Sequence, residues 1–160
     1  GSAGGILVGR AITERPDLFA AAVPAVGTMD MVRAETSANG AANIPEFGTI
    51  KKEDEFRALL AMSSYHHVKD GTKYPAVMLV HGVNDIRVDV WQSAKFASRL
   101  ATASASGKPV LLRLDYESGH GQGSTRAQLQ ERSADIYSFM LWQFGVPEFQ
   151  PTSKAAAVAR

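Results

Sequence analysis

Apolar positions along the chain follow two rhythms, one helical and one of short continuous runs. Ile6, Leu7 and Ile12, with Gly9 and Arg10 between them, have the spacing of a short helix that turns one side to a sheet. It is expected to end before ERPD, where Pro16 discourages continuation. FAAAVPAVG follows, a brief apolar run closed by Gly27 and suited to a strand buried on both faces. Residues 28–50 read as irregular, punctuated by Gly40, Pro45 and Gly48. A charged amphipathic helix is predicted from Lys52 to Met62, with Phe56, Leu59 and Leu60 inward.

The second half is more regular. PAVMLVHG is a continuous apolar strand between Pro75 and Gly82, and VDVWQSAKFASRLATA after it has helical spacing in Val90, Ala94, Phe96, Ala97 and Leu100. GKPVLLRLDYE repeats the plan with a strand over Val110–Leu114. A long helix from about Ser124 to Phe144 is then expected to bury Leu129, Ile136, Phe139, Met140 and Trp142. Alternation of this kind predicts an α/β fold with parallel strands and helical crossovers. The reading is one domain over residues 1–145 and a flexible tail over 146–160.

Composition narrows the partners. Seventeen basic against sixteen acidic side chains leave a formal charge of +1, too little for a field that draws a phosphate backbone or an anionic membrane surface. Nucleic acid and membrane are therefore not expected as partners. The chain has no cysteine, which excludes a disulfide, a thiolate nucleophile and a zinc-thiolate site. No GxxxxGK, HExxH or paired-carboxylate motif occurs. GHGQGS echoes a dinucleotide loop, but Ser124 stands where the last glycine belongs. No metal or cofactor is expected.

In a parallel sheet, reactive groups collect beyond the carboxyl ends of the strands. Three candidates fall there: Ser2 in GSAGG at the mouth of the first helix, Asp85 in HGVNDIRV, and His120 in ESGHGQG. Ser, Asp, His is also the chain order of one group of catalytic triads. A serine hydroxyl becomes a nucleophile when an imidazole takes its proton, and the imidazole needs a carboxylate to fix its tautomer. The Ala3 N–H would then be an oxyanion donor. Glycines 1, 4 and 5 would permit a sharp turn into a closely packed helix, and glycines 119, 121 and 123 would let a short loop carry His120. Ser2 taken alone reads equally as the remnant of an expression vector, Asp85 as a turn former, and Arg87 as a surface partner of Asp89 or Asp85. His66, His67 and His81 read as structural.

Together these segments resemble the prolyl oligopeptidase family of serine peptidases. GSAGGILVGRAITERPDLFAAAVPAVGTMDM is similar to that family's nucleophile elbow, where the serine sits in GGSxGG, and to the strand after it. HGVNDIRV is similar to its Asp-x-Arg-Val segment, and SGHGQG to its histidine loop; the likeness runs from Gly1 to about Gly145. It implies a partial α/β-hydrolase fold, the C-terminal half of a parallel sheet flanked by helices. It also implies Ser2 as nucleophile, Asp85 as orienting acid, His120 as general base, and Arg87 as the group that binds a substrate carbonyl. Prolyl-cleaving members carry a tryptophan that stacks on the substrate proline; SANGAANIPEFG has none, and Asn43 stands near that position.

The activity implied is hydrolysis of a peptide or small ester through an acyl-enzyme. The likeness places the family's propeller, the earlier strands and a tyrosine oxyanion donor before Gly1, so weak or no activity is expected of this piece. The alternative is a catalytically silent folding or association module, with a carboxylesterase as a lesser variant. The edge of the strand around Ala20–Val26 would be bare, which predicts a homo-oligomer, most simply a dimer.

Overall fold

The computed structural model describes residues 1–121 and 124–152. Helix α1 spans Ala3–Glu14 and strand β1 Ala21–Ala22; α2 (Met31–Ala34), α3 (Ile44–Phe47) and α4 (Glu53–Met62) follow. Next come β2 (Ala76–Gly82), α5 (Trp91–Ala103), β3 (Val110–Asp115) and α6 (Arg126–Gln143). The strands form a parallel sheet in the order β1-β2-β3, with Ala21 opposite Ala76 and Val77 to Gly82 opposite Val110 to Asp115.

The chain divides into two compact units, Gly1–Ser124 and the segment from Thr125 onward. In the first, β2 has a strand on each side, and all seven of its residues are buried. That is why its sequence is continuously apolar up to His81. Ile12 of α1, Val77 and Leu79 of β2, and Phe96 and Leu100 of α5 are fully buried in one core. Phe96, Leu100 and Ala103 recur at three to four residues, so they share the face of α5 that packs there. A smaller cluster joins Ile6, Met31 and Leu59, with Phe47 and Met62 packed against it. Arg10 ties α1 to the end of α4, its Nε donating to the Ala61 carbonyl at 2.7 Å.

Several expectations need correction. FAAAVPAVG is not one strand: regular pairing holds for two residues, followed by a single bridge from Ala25 to Val80. Pro24 has no N–H to give, and Val26 takes a positive φ of 43°, outside strand geometry. Residues 28–50 are not irregular throughout, since α2, a 3-10 turn over Gly40–Asn43 and α3 lie within them. Asp30 starts α2 by accepting the Arg33 N–H. The strand expected over Val110–Leu114 is present as β3, half-buried, as befits a strand with a neighbour on one side among the described residues.

In the second unit, α6 opens on a reciprocal capping box. Thr125 Oγ accepts from the Gln128 N–H at 3.3 Å, and the Gln128 side chain accepts from the Thr125 N–H at 2.7 Å. Phe139 is buried and meets Trp142 edge-on at 6.2 Å, but Leu129, expected inside, is exposed near the start of the helix. Of the expected tail, residues 147–149 form a 3-10 turn, while 153–160 lie outside the described residues.

Candidate active site

Ser2 is the residue before α1 and has φ 55° and ψ −129°, a conformation L residues adopt rarely. The local packing holds it there. Its N–H donates to the Ala25 carbonyl at 2.9 Å, and its own carbonyl accepts from the Gly5 N–H at 2.7 Å. Gly5 must lack a side chain, because a Cβ there would stand 2.8 Å from both the Ala25 oxygen and the Gly27 Cα. Chain reversal and close contact together project the Ser2 side chain from the mouth of a helix. Gly4, by contrast, faces open space.

Asp85 lies three residues beyond β2 and His120 five beyond β3, both past the carboxyl ends of parallel strands. The two loops are laced together. Val83 N–H donates to the Asp115 carbonyl at 2.8 Å, Asn84 N–H to the Ser118 carbonyl at 3.1 Å, and the Asn84 side chain to the Tyr116 carbonyl at 2.9 Å. Asp115 Oδ1 accepts from the N–H groups of Glu117 and Ser118 at 3.1 Å each, which curls the loop toward His120. Burial pushes the Asp115 carboxyl up, but the bonds from Glu117 and Ser118 outweigh it and hold the group below the usual carboxylate range.

The three side chains meet. His120 Nε2 is 2.9 Å from Ser2 Oγ, and His120 Nδ1 is 2.7 Å from Asp85 Oδ2. A carboxylate only accepts, so in the neutral ring Nδ1 carries the proton and Nε2 offers its lone pair to the serine O–H. The Asp85 side chain is fully buried. Its Oδ1 accepts from the N–H groups of Arg87 and Val88 at 2.9 Å each. Ala3 is the first residue of α1, so its N–H has no carbonyl four residues back to bond within the helix.

Ser2 and His120 open onto a cleft enclosing about 420 Å³ of space continuous with solvent. Arg87 lies on its wall, and the Arg87 carbonyl accepts from the Asn39 side chain at 3.4 Å. Asp89, weighed as its ion partner, accepts from Trp91 Nε1 at 3.0 Å. Asn43, Glu46 and Phe47 line the same cleft; sequence reasoning passed over Glu46 because it stands in a segment without periodicity. His66 and His67 are engaged locally, through Ser63 Oγ at 2.7 Å and the Ser63 carbonyl at 2.8 Å. Among the described residues no three His, Asp or Glu side chains are grouped to hold a metal ion, and no helix is long and apolar enough to cross a membrane. Gly123, named with the histidine loop, lies outside the described residues.

Comparison with known proteins bears on this constellation. The family model described as the prolyl oligopeptidase family matches residues 1–147. The chain belongs to the prolyl oligopeptidase family. A prolyl endopeptidase of Elizabethkingia meningoseptica is 38% identical over 146 residues, 91% of this chain and 21% of that protein. Dipeptidyl aminopeptidase BI of Pseudoxanthomonas mexicana is 30% identical, over 91% of this chain and 20% of its own length. Among solved structures, one from a study of two prolyl endopeptidases superposes with a TM-score of 0.88 at 40% identity, covering 91% of this chain and 22% of that one. Oligopeptidase B of Leishmania major superposes at 0.83 and 28% identity, over 89% and 20%. The parallel sheet and its helices are thus part of the α/β-hydrolase domain of this family. The chain spans about a fifth of the length of the curated relatives it matches.

Proposed function

We propose that this chain carries the reacting groups of a serine peptidase that transfers the acyl group of a peptide or ester to water. The observation behind this reading is the continuous path from Ser2 Oγ through His120 to the buried Asp85 carboxylate, on a serine at positive φ before a helix. Ser2 Oγ attacks the substrate carbonyl while His120 Nε2 takes its proton, and Asp85 stabilises the imidazolium that results. The Ala3 N–H donates to the carbonyl oxygen as it becomes an oxyanion. Collapse breaks the bond to the leaving amine or alcohol, which receives the proton from His120. Water, deprotonated by His120, then attacks the acyl-serine; collapse of the second tetrahedral species releases the acid and returns the proton to Ser2.

The cleft gives the reading its substrate. Arg87 would bond a carbonyl of a peptide lying along the wall. Asn43 offers an amide where the family resemblance has an indole, and on that difference we propose a selectivity not confined to proline.

A fluorophosphonate probe tests the chemistry without assuming a substrate, because it phosphonylates an activated serine and expels fluoride. The expected result is one adduct per chain, mapped by mass spectrometry to the peptide containing Ser2 and abolished in Ser2→Ala and His120→Ala. An adduct that survives Ser2→Ala, or a wild-type chain that stays unmodified, would overturn the proposal.

A further inference from the structure

The acid of the site has a second imidazole beside it. His81, the next-to-last residue of β2, is fully buried, and its Nε2 lies 2.9 Å from the Val88 carbonyl oxygen and 3.3 Å from Asp85 Oδ2. On its other side, Nδ1 lies 2.7 Å from Ser93 Oγ in the first turn of α5. Both oxygens facing Nε2 can only accept, so Nε2 carries the proton, and Nδ1 accepts from the Ser93 hydroxyl. The ring is neutral: burial pushes the His81 imidazole below its ordinary range, and the nearby carboxylate does not outweigh that.

We propose that His81 is a positioning residue for the acid of the site, its Nε2–H holding the Asp85 carboxylate and the Val88 carbonyl so that Oδ2 stays aimed at His120. The inference rests on the site proposed above and extends it to a residue that touches neither serine nor cleft. A carboxylate has about four lone-pair sites to satisfy. Asp85 accepts from three N–H groups, those of Arg87 and Val88 on Oδ1 and that of His120 on Oδ2, and His81 Nε2 stands 3.3 Å from Oδ2 in the fourth place. Its side chain is removed from water, so a donor taken away has no solvent replacement. The backbone donors come from the loop that carries Asp85 itself and would move with it. Among the described residues, His81 is the one that links the carboxylate to the end of a central strand and, through Ser93, to α5. Without it the carboxylate and its loop can tip together, and the Nδ1–H of His120 loses a fixed acceptor.

Nuclear magnetic resonance of the full 160-residue chain, labelled with ¹⁵N-histidine, tests this through the strongly deshielded Nδ1 proton of His120, assigned by its loss in His120→Gln. His81→Leu keeps much of the volume and removes both ring nitrogens, whereas His81→Gln keeps a donor at the reach of Nε2. The expected result is that the His120 proton broadens or moves upfield in His81→Leu and returns in His81→Gln. Circular dichroism should show both folded. The rate of fluorophosphonate labelling at Ser2 should fall tenfold to a hundredfold in His81→Leu, on the order of what a small misplacement costs. An unchanged His120 proton in a folded His81→Leu chain overturns the inference and leaves the site standing; a wild-type chain without that proton overturns both. Should His81→Leu fail to fold, His81→Asn keeps a polar group at the reach of Nδ1 for Ser93 while removing the donor at Nε2. There the inference requires the His120 proton to broaden or move upfield, and an unmoved proton refutes it.

Discussion

At the scale of single residues, the site depends on groups held in surroundings or conformations that are costly taken alone. Asp85 is a carboxylate without solvent, Ser2 a non-glycine residue at φ 55°, and His81 an imidazole kept neutral by burial. Each is stable because its neighbours leave it no better choice. His81 carries a consequence for acid stability. Its proton affinity is lower in the folded chain than in the unfolded one, so below the ordinary imidazole value of about 6.5 the unfolded state binds more protons. Its contribution is therefore fully present above pH ~6.5 and declines as pH falls from there toward the folded value. Asp85 and His120 face the ring as charged or titratable groups, and Ser93 and the Val88 carbonyl as neutral ones. The melting temperature should fall as pH is lowered from 7 to 5, and the fall should be shallower in His81→Gln. Equal slopes in the two proteins would show that His81 does not carry this dependence.

At the scale of elements, the end of β2 does two jobs at once. Gly82 follows His81, and a Cβ on it would stand 2.3 Å from the Gly119 carbonyl oxygen and 2.4 Å from that of Ser118. The loop that holds His120 thus crosses directly over this glycine. Those oxygens belong to backbone fixed by the Asp115 turn, so they cannot yield cheaply. Gly82→Ala should destabilise the chain by about 1–3 kcal/mol, the range for overpacking. It should also slow fluorophosphonate labelling on the order of a hundredfold through displacement of His120. Chemical denaturation and the labelling rate measure the two effects separately; a variant that labels at the wild-type rate would show that the loop does not rest on Gly82. Much of this arrangement was legible beforehand. β2, α5 and β3 stood out because a buried parallel strand reads as an apolar run and the helix facing it as a 3.6-residue stripe. The placement of Asp85 and His120 followed from the loop rule for parallel sheets, and that of Ser2 from the glycines that flank it at the mouth of a helix. Gly82 and Val26 were not legible, since a glycine needed for a close approach between distant segments looks like any turn glycine. The positive φ of Val26 runs against the preference of a β-branched residue, so nothing in its own chemistry announces it. Helices α2 and α3 are single turns, too short to show a period.

At the scale of the whole chain, the sheet has two edges among the described strands, β1 and β3, and they differ in kind. In a parallel pair, alternate residues turn their peptide groups to the neighbour. Ala20 and Pro24 accept from Ala76 and Val80, and the Val26 N–H donates to the Val80 carbonyl, so the even-numbered residues face β2. Ala21, Val23 and Ala25 turn theirs outward. The Ala25 carbonyl is taken by the Ser2 N–H, which leaves the outward groups of Ala21 and Val23 as the template for another strand. Leu18, 63% exposed just before β1, adds apolar surface beside it. So short a template supports a weak contact rather than a permanent one, because very short edge strands are among the devices that limit pairing. We therefore propose a dimer that forms through the β1 edge and dissociates on dilution. Sedimentation velocity over a range of concentrations should show a sedimentation coefficient that rises with concentration. Val23→Pro, which removes an outward N–H, should hold the chain at the monomer value without loss of its circular dichroism. A chain that sediments as a monomer at every concentration refutes the dimer, and a dimer undiminished in Val23→Pro shows that the contact lies on another surface.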